Sequence, residues 1–158
     1  MRKLLLLVFT LALMVGCGGD GNDNGFDERN IAENFASRFV SALNSDDVDR
    51  VAPLISANFY EDCFDRRDFL DSYEQDIRDG FRYNLEILDV WDEEFLDDNE
   101  VRFMIRIRDR DTGATDEFPV YIRRENGTWR MYGNQDCNRS SGQSTQKPAS
   151  VVQFIQKD

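Results

Sequence analysis

Histidine is absent from the 158 residues, and with it go the side chain best suited to moving protons near neutral pH and the commonest zinc ligand. The three cysteines, Cys17, Cys63 and Cys137, have no Cys-x-x-Cys spacing for zinc or dithiol chemistry. No glycine-rich loop follows a predicted strand, so the usual cradle for phosphate is missing. Two acidic runs invite calcium. Asp20-Gly21-Asn22-Asp23-Asn24-Gly25 fits the first half of an EF-hand loop, yet the twelfth position, where a bidentate Glu belongs, is Ile31. Asp92 to Glu100, "DEEFLDDNE", reads more simply as a solvated connection between two strands. No metal or cofactor is expected.

What the sequence offers instead is a surface for binding. Val101, Phe103, Ile105 and Ile107 alternate with Arg102, Met104, Arg106 and Arg108, and Phe118, Val120 and Ile122 alternate with Glu117, Pro119, Tyr121 and Arg123. If the aliphatic residues face a core, Arg102, Arg106 and Arg108 share the opposite face with Tyr121, Arg123, Arg130 and Tyr132. Arg and Tyr are enriched at interface centres, so this face is a candidate interface for a protein partner or a second copy of the chain. A solvated ladder of cross-strand pairs with Glu86, Asp116 and Glu117 fits the same residues, and both readings stay open.

The elements that must carry these residues follow from periodicity. Between Asp27 and Leu43, Ile31, Phe35, Phe39, Ala42 and Leu43 form one helical stripe, with Asp27 and Glu28 at the positive end of the helix dipole. Ser45 is placed to cap a second short helix, with Val48, Val51, Leu54 and Ile55 inward and Pro53 closing its last turn. Asp65 caps a third helix that Gly80 stops, with Phe69, Tyr73 and Ile77 on one face. After Gly80 the period falls to two. Phe81, Tyr83, Leu85 and Ile87 alternate, Leu88 and Val90 break the parity, and a bulge is expected near Asp89. Asn126-Gly127 signals a tight hairpin. Helices first and an antiparallel meander afterwards make an α+β domain. The segment "VVQFIQ" near the end fits an extra edge strand or a helix.

The amino terminus, "MRKLLLLVFTLALMVGC", sets Arg2 and Lys3 before an apolar run and places Cys17 after Val15 and Gly16. It resembles the lipobox of bacterial lipoproteins, with Met14 where Leu is usual. The resemblance implies that residues 1–16 are a signal peptide, that Cys17 becomes the acylated first residue, and that 17–26 form a flexible tether. Gly18 after the cysteine resembles lipoproteins sent to the outer membrane, facing the periplasm. Without Arg2 and Lys3 the net charge moves from −12 to −14. Such a chain is a poor partner for nucleic acid and is repelled by anionic headgroups, so attachment to the lipid membrane falls to the acyl chains. With Cys17 acylated, Cys63 and Cys137 remain as a pair in an oxidising compartment, and one disulfide is the economical reading. Roughly 130 residues after the tether suit one domain, bounded here at 27–137, with 138–158 as a tail.

The stretches "FASRFVSALNSDDVDRVAPLISANFYED" and "GTWRMYGNQ" look like the nuclear transport factor 2-like superfamily, which includes the ketosteroid isomerases and SnoaL-like cyclases. The resemblance runs over Asp27 to Gln135 as a pattern of apolar positions. It implies a strongly curved antiparallel sheet wrapped around the helices as a cone, of the cystatin-like kind, with a pocket at its open end. Phe39, Tyr60, Asp62, Tyr73 and Trp91 are the candidate walls of that pocket, which would take a small apolar ligand; core and rim is the plainer assignment for its aromatic members. It also implies that the first and last strands run side by side, which brings Cys63 and Cys137 together. In the isomerases an Asp ending the first strand is the general base and a Tyr on the first helix holds the enolate oxygen. The alignment puts Asp62 at the first position and Phe39 at the second, where no hydrogen bond can be donated, and Pro119 near the position of the second acid. Asp62 is thus a base candidate without its electrostatic partners. The sequence favours a non-catalytic binding domain, with an isomerase-type or SnoaL-like enzyme as the alternative.

Overall fold

A computed structural model describes residues 30–137. The signal segment, Cys17, the tether, Asp27, Glu28 and the tail with "VVQFIQ" lie outside the described residues. Helix α1 spans Ile31–Leu43 and buries Ile31, Phe35, Phe39, Ala42 and Leu43, the expected stripe. Asn30 precedes it without a side-chain cap. The donor that is left over at the helix start finds a distant acceptor, for the Ala32 N–H donates to Oε2 of Glu93 at 3.0 Å. A carboxylate is favoured there by the helix dipole as well. Replacing Glu93 with Ala is expected to cost about 1 kcal/mol of unfolding free energy, as lost caps do. Urea denaturation measures it, and an unchanged midpoint would mean that water serves the Ala32 amide equally well.

Helix α2, Val48–Val51, is capped by Asp47, whose side chain accepts from the Asp49 N–H. Ser45, the expected cap, instead donates to the Ala42 carbonyl at 2.6 Å, because the chain is still leaving α1 there. Pro53 tightens the continuation into a 3-10 turn over Ala52–Leu54. Strands β1, Tyr60–Glu61, and β2, Phe64–Asp65, form a hairpin around Asp62 and Cys63. Helix α3, Arg66–Arg78, starts with a reciprocal capping box between Asp65 and Asp68 and ends before Gly80, which sits at φ +90°.

The sheet is antiparallel in the order β3 (Leu85–Asp97), β4 (Glu100–Asp109), β5 (Thr115–Glu125), β6 (Thr128–Met131). Its β5–β6 hairpin turns at Asn126-Gly127, both in the left-handed region, as the dipeptide predicts. The acidic run Asp92 to Glu100 is a strand over most of its length, and only the turn after Asp97 connects β3 to β4. An edge strand past the end of the core has nothing to bury, so its composition resembles that of a loop. The parity break falls at Leu88, one residue before the expected position, and two further register shifts follow toward Asp97.

Helices and sheet meet in one core. Phe35 and Phe103 join α1 to β4 with ring centroids 6.5 Å apart, and Phe69 bridges Phe39 and Phe59 at 6.5 and 5.5 Å. Asn44 ties the end of α1 to the start of β3: its amide donates to the Leu85 carbonyl at 2.9 Å and accepts from the Leu85 N–H at 2.8 Å. A seam closes the helical half against the end of the sheet. Ser56 N–H donates to Met131 O at 2.8 Å, Tyr60 N–H to Tyr132 O at 3.1 Å, and Gln135 N–H to Tyr60 O at 3.0 Å. Gly133, at φ +78°, is required at this seam, since a Cβ there would lie 2.3 Å from Tyr60 O. Just beyond it Cys63 and Cys137 form a disulfide with their Cα atoms 4.5 Å apart.

Candidate functional site

The acid that faces inward from β1 is Glu61, not Asp62. Phe59 and Glu61 share one parity and are both buried, whereas Asp62 occupies the hairpin turn at φ +50° and is half-exposed. Glu61 is 2% exposed, and its Oε1 has no hydrogen-bond partner among the described residues. Burial, and secondarily the neighbouring Asp62 carboxylate, push the Glu61 carboxyl up to about 8. Phe59 two residues earlier was the sequence signal for this, because a strand alternates and Phe59 belongs inside.

The proposed pocket walls do not come together. Phe39 lines an apolar void between α1 and the sheet with Phe35, Leu43, Phe103, Ile107 and Phe118 among others. That void is about 10 Å³, room for no more than about one water. Tyr73 is fully buried and donates its hydroxyl to the Leu43 carbonyl at 2.8 Å. Burial, with Asp46 nearby, pushes its phenol up to about 12, so it remains a donor. Tyr60 is half-buried on the strand face opposite Glu61, and Trp91 lies on the outer face of the sheet, opposite Met104 and under the Arg106 guanidinium at 5.2 Å. Trp91 follows Val90, whose partner Ile105 faces the core, and so it must point outward.

The outer face gathers most of the predicted interface. Register sets Trp91, Met104 and Pro119 in one row across β3, β4 and β5. Glu94, Arg102 and Tyr121 form the row on one side, and Asp89, Arg106 and Glu117 the row on the other. Arg106 pairs with Glu117, and Arg108 with Glu86 at 2.9 Å. Arg108 and Arg110 hold the half-buried Glu86 carboxyl below its usual range through hydrogen bonds. The Arg123 guanidinium stacks 4.8 Å from the Tyr132 ring. Asp116 falls opposite Ile107, on the face of the aliphatic set, and so leaves the expected ladder. Arg130 reaches round the β6 edge to donate to the Pro53 carbonyl at 2.8 Å. The ladder of cross-strand pairs is therefore present, and it frames an apolar centre that the pattern of charges alone does not reveal. Among the described residues no cluster of three or more acidic or cysteine side chains is arranged to hold a metal ion.

No protein-family model matches the chain, and no curated protein matches it. Solved structures do resemble it. A nuclear transport factor 2-like protein of unknown function from Shewanella oneidensis is 13% identical, covering 67% of this chain and 94% of its own, with a TM-score of 0.55. A protein of unknown function with a cystatin-like fold from Nostoc punctiforme is 14% identical over 68% of this chain and 87% of its own, with a TM-score of 0.51. A putative calcium/calmodulin-dependent protein kinase type II association domain from Thiobacillus denitrificans is 14% identical over 64% and 89%, with a TM-score of 0.52. The α+β fold of this chain is thus the nuclear transport factor 2-like, cystatin-like cone.

Proposed function

We propose that this chain is a lipid-anchored domain of the bacterial cell envelope that works by protein association through the outer face of its sheet rather than by catalysis. Cys17 carries the acyl chains, and residues 18–26 hold the domain off an outer membrane whose periplasmic side it faces. The observation that carries the reading is the contrast between the two faces of the sheet. Inside, the void between α1 and the sheet measures about 10 Å³ and is lined by apolar side chains, too little for a small-molecule ligand. Outside, the row of Trp91, Met104 and Pro119 is flanked by arginines and aromatic rings, the composition of an interface centre. Both charge signs stand in the flanking rows, so the face complements a second copy of itself about a two-fold axis. The similar structure from Thiobacillus denitrificans is a putative kinase association domain, which fits the same use of this fold.

Sedimentation equilibrium over a concentration series tests the reading. The full chain should show a monomer–dimer equilibrium, and Met104→Asp, which puts a carboxylate into the apolar row, should weaken it at least tenfold, since hot-spot losses exceed about 1.4 kcal/mol. Replacing Arg106 and Arg108 together with Glu should abolish association. A dimer indifferent to both changes, or a monomer throughout, sinks the proposal.

The alternative, an enzyme of the ketosteroid isomerase or SnoaL-like type, has one observation in its favour, the buried acid on β1. That acid is Glu61 instead of the Asp62 named from the alignment. Phe39 still supplies no hydrogen bond, and the void it lines has no polar member.

A further inference from the structure

A second concavity lies between α1 and the α2 segment with the turn that continues it. Ser37, Arg38, Ser41 and Ala42 form one wall, and Arg50, Pro53 and Leu54 the other, around about 380 Å³. Among the described residues every charged side chain that lines it is an arginine, on a chain whose net charge is −12. Ser37 and Ser41 are one helical turn apart, so their hydroxyls stand on the same face of α1. The short α2 segment is ringed by two more guanidiniums. Arg66 donates to the Ala52 carbonyl at 3.1 Å and Arg130 to the Pro53 carbonyl at 2.8 Å. These bonds occupy the carbonyls that would otherwise repel an anion at the end of the segment. Arg50 is exposed and has no ion-pair partner among the described residues.

We propose that this cleft binds a phosphate group, with Arg38 and Arg50 supplying charge and Ser37 and Ser41 supplying hydroxyl donors. Guanidinium pairs with phosphate through parallel N–H···O bonds, and hydroxyls complete the remaining oxygen contacts. The cleft volume exceeds a phosphate alone and leaves room for the rest of a phosphomonoester or a lipid headgroup. Such a site is independent of the sheet face, and neither stands or falls with the other.

The test uses the full chain carrying Cys17→Ser, so that no acyl chain contributes. Titration with glycerol phosphate is followed by phosphorus NMR line broadening, and vesicles of phosphatidylcholine with and without phosphatidylglycerol are tested by flotation. Broadening or flotation that Arg50→Glu weakens at least tenfold, and that Ser37→Ala with Ser41→Ala weakens severalfold at unchanged melting temperature, supports the site. Broadening alone assigns a soluble phosphomonoester, and flotation confined to phosphatidylglycerol vesicles assigns a headgroup. Absence of both signals, or equal signals from the wild type and Arg50→Glu, overturns the proposal.

Discussion

Replacing Cys63 and Cys137 together with serine is expected to lower the unfolding free energy by about 4 kcal/mol, the largest loss of any change considered for this domain. The magnitude follows from a sequence separation of 74, because a crosslink over a long loop removes chain entropy from the unfolded state. The native side argues in the same direction. Asp62 and Cys63 both sit at positive φ in the two-residue turn of the β1–β2 hairpin, a conformation that non-glycine residues hold only when the surroundings fix it. The bridge fixes it from one end, and the seam of backbone hydrogen bonds from Ser56 to Gln135 fixes it from the other. Urea denaturation of the oxidised wild type beside the double serine variant gives the number. A difference below about 1 kcal/mol would show that the seam closes without help from the bridge.

Glu61→Gln is the change with the largest gain. The folded-state pKa of Glu61 stands near 8 against an ordinary value of 4.5, so the fold prefers the protonated acid. Its contribution is fully present below the unfolded pKa and is lost as pH rises through the folded one. Between pH 4.5 and 8 the wild type should therefore lose stability from this group, amounting to about 3 kcal/mol by pH 7. The amide cannot ionise, so the variant should be more stable near neutrality and equal to wild type in acid. The difference between the two unfolding free energies, measured from pH 4 to 9, isolates this residue from the other carboxylates. Parallel curves would mean that the carboxylate finds solvent or a partner in the folded protein.

The sequence disclosed the fold well where local chemistry repeats a known physical device. The capping box at Asp65 and Asp68, Gly80 after α3, the Asn126-Gly127 turn and the strict alternation along β4 and β5 all appear in the structure where their chemistry requires them. The pairing of Cys63 with Cys137 was legible because only two cysteines remained after Cys17 was set aside and the fold brought strand ends together. The site was less legible. Asp62 and Glu61 differ by one position, and a tight turn at Asp62 makes a one-residue error exchange the interior for the surface. Trp91 reads as a pocket wall from the sequence, because the parity of a large aromatic residue is set only by the bulge at Leu88. The size of the void under α1 is a matter of side-chain volume summed over α1, β4 and β5. No local pattern encodes that sum.

Strand β3 has one further consequence. It is an outermost strand of 13 residues, long enough to act as a template on which other chains could add and grow into aggregates. Three register shifts interrupt its ladder, and six of its 13 residues are acidic. Bulges and like charges are what make such a margin unfit for strand addition, and they matter here because Phe95 and Leu96 near its end are largely exposed. The same kinks that carry β3 over the first helix thus oppose edge-to-edge stacking of one domain on another.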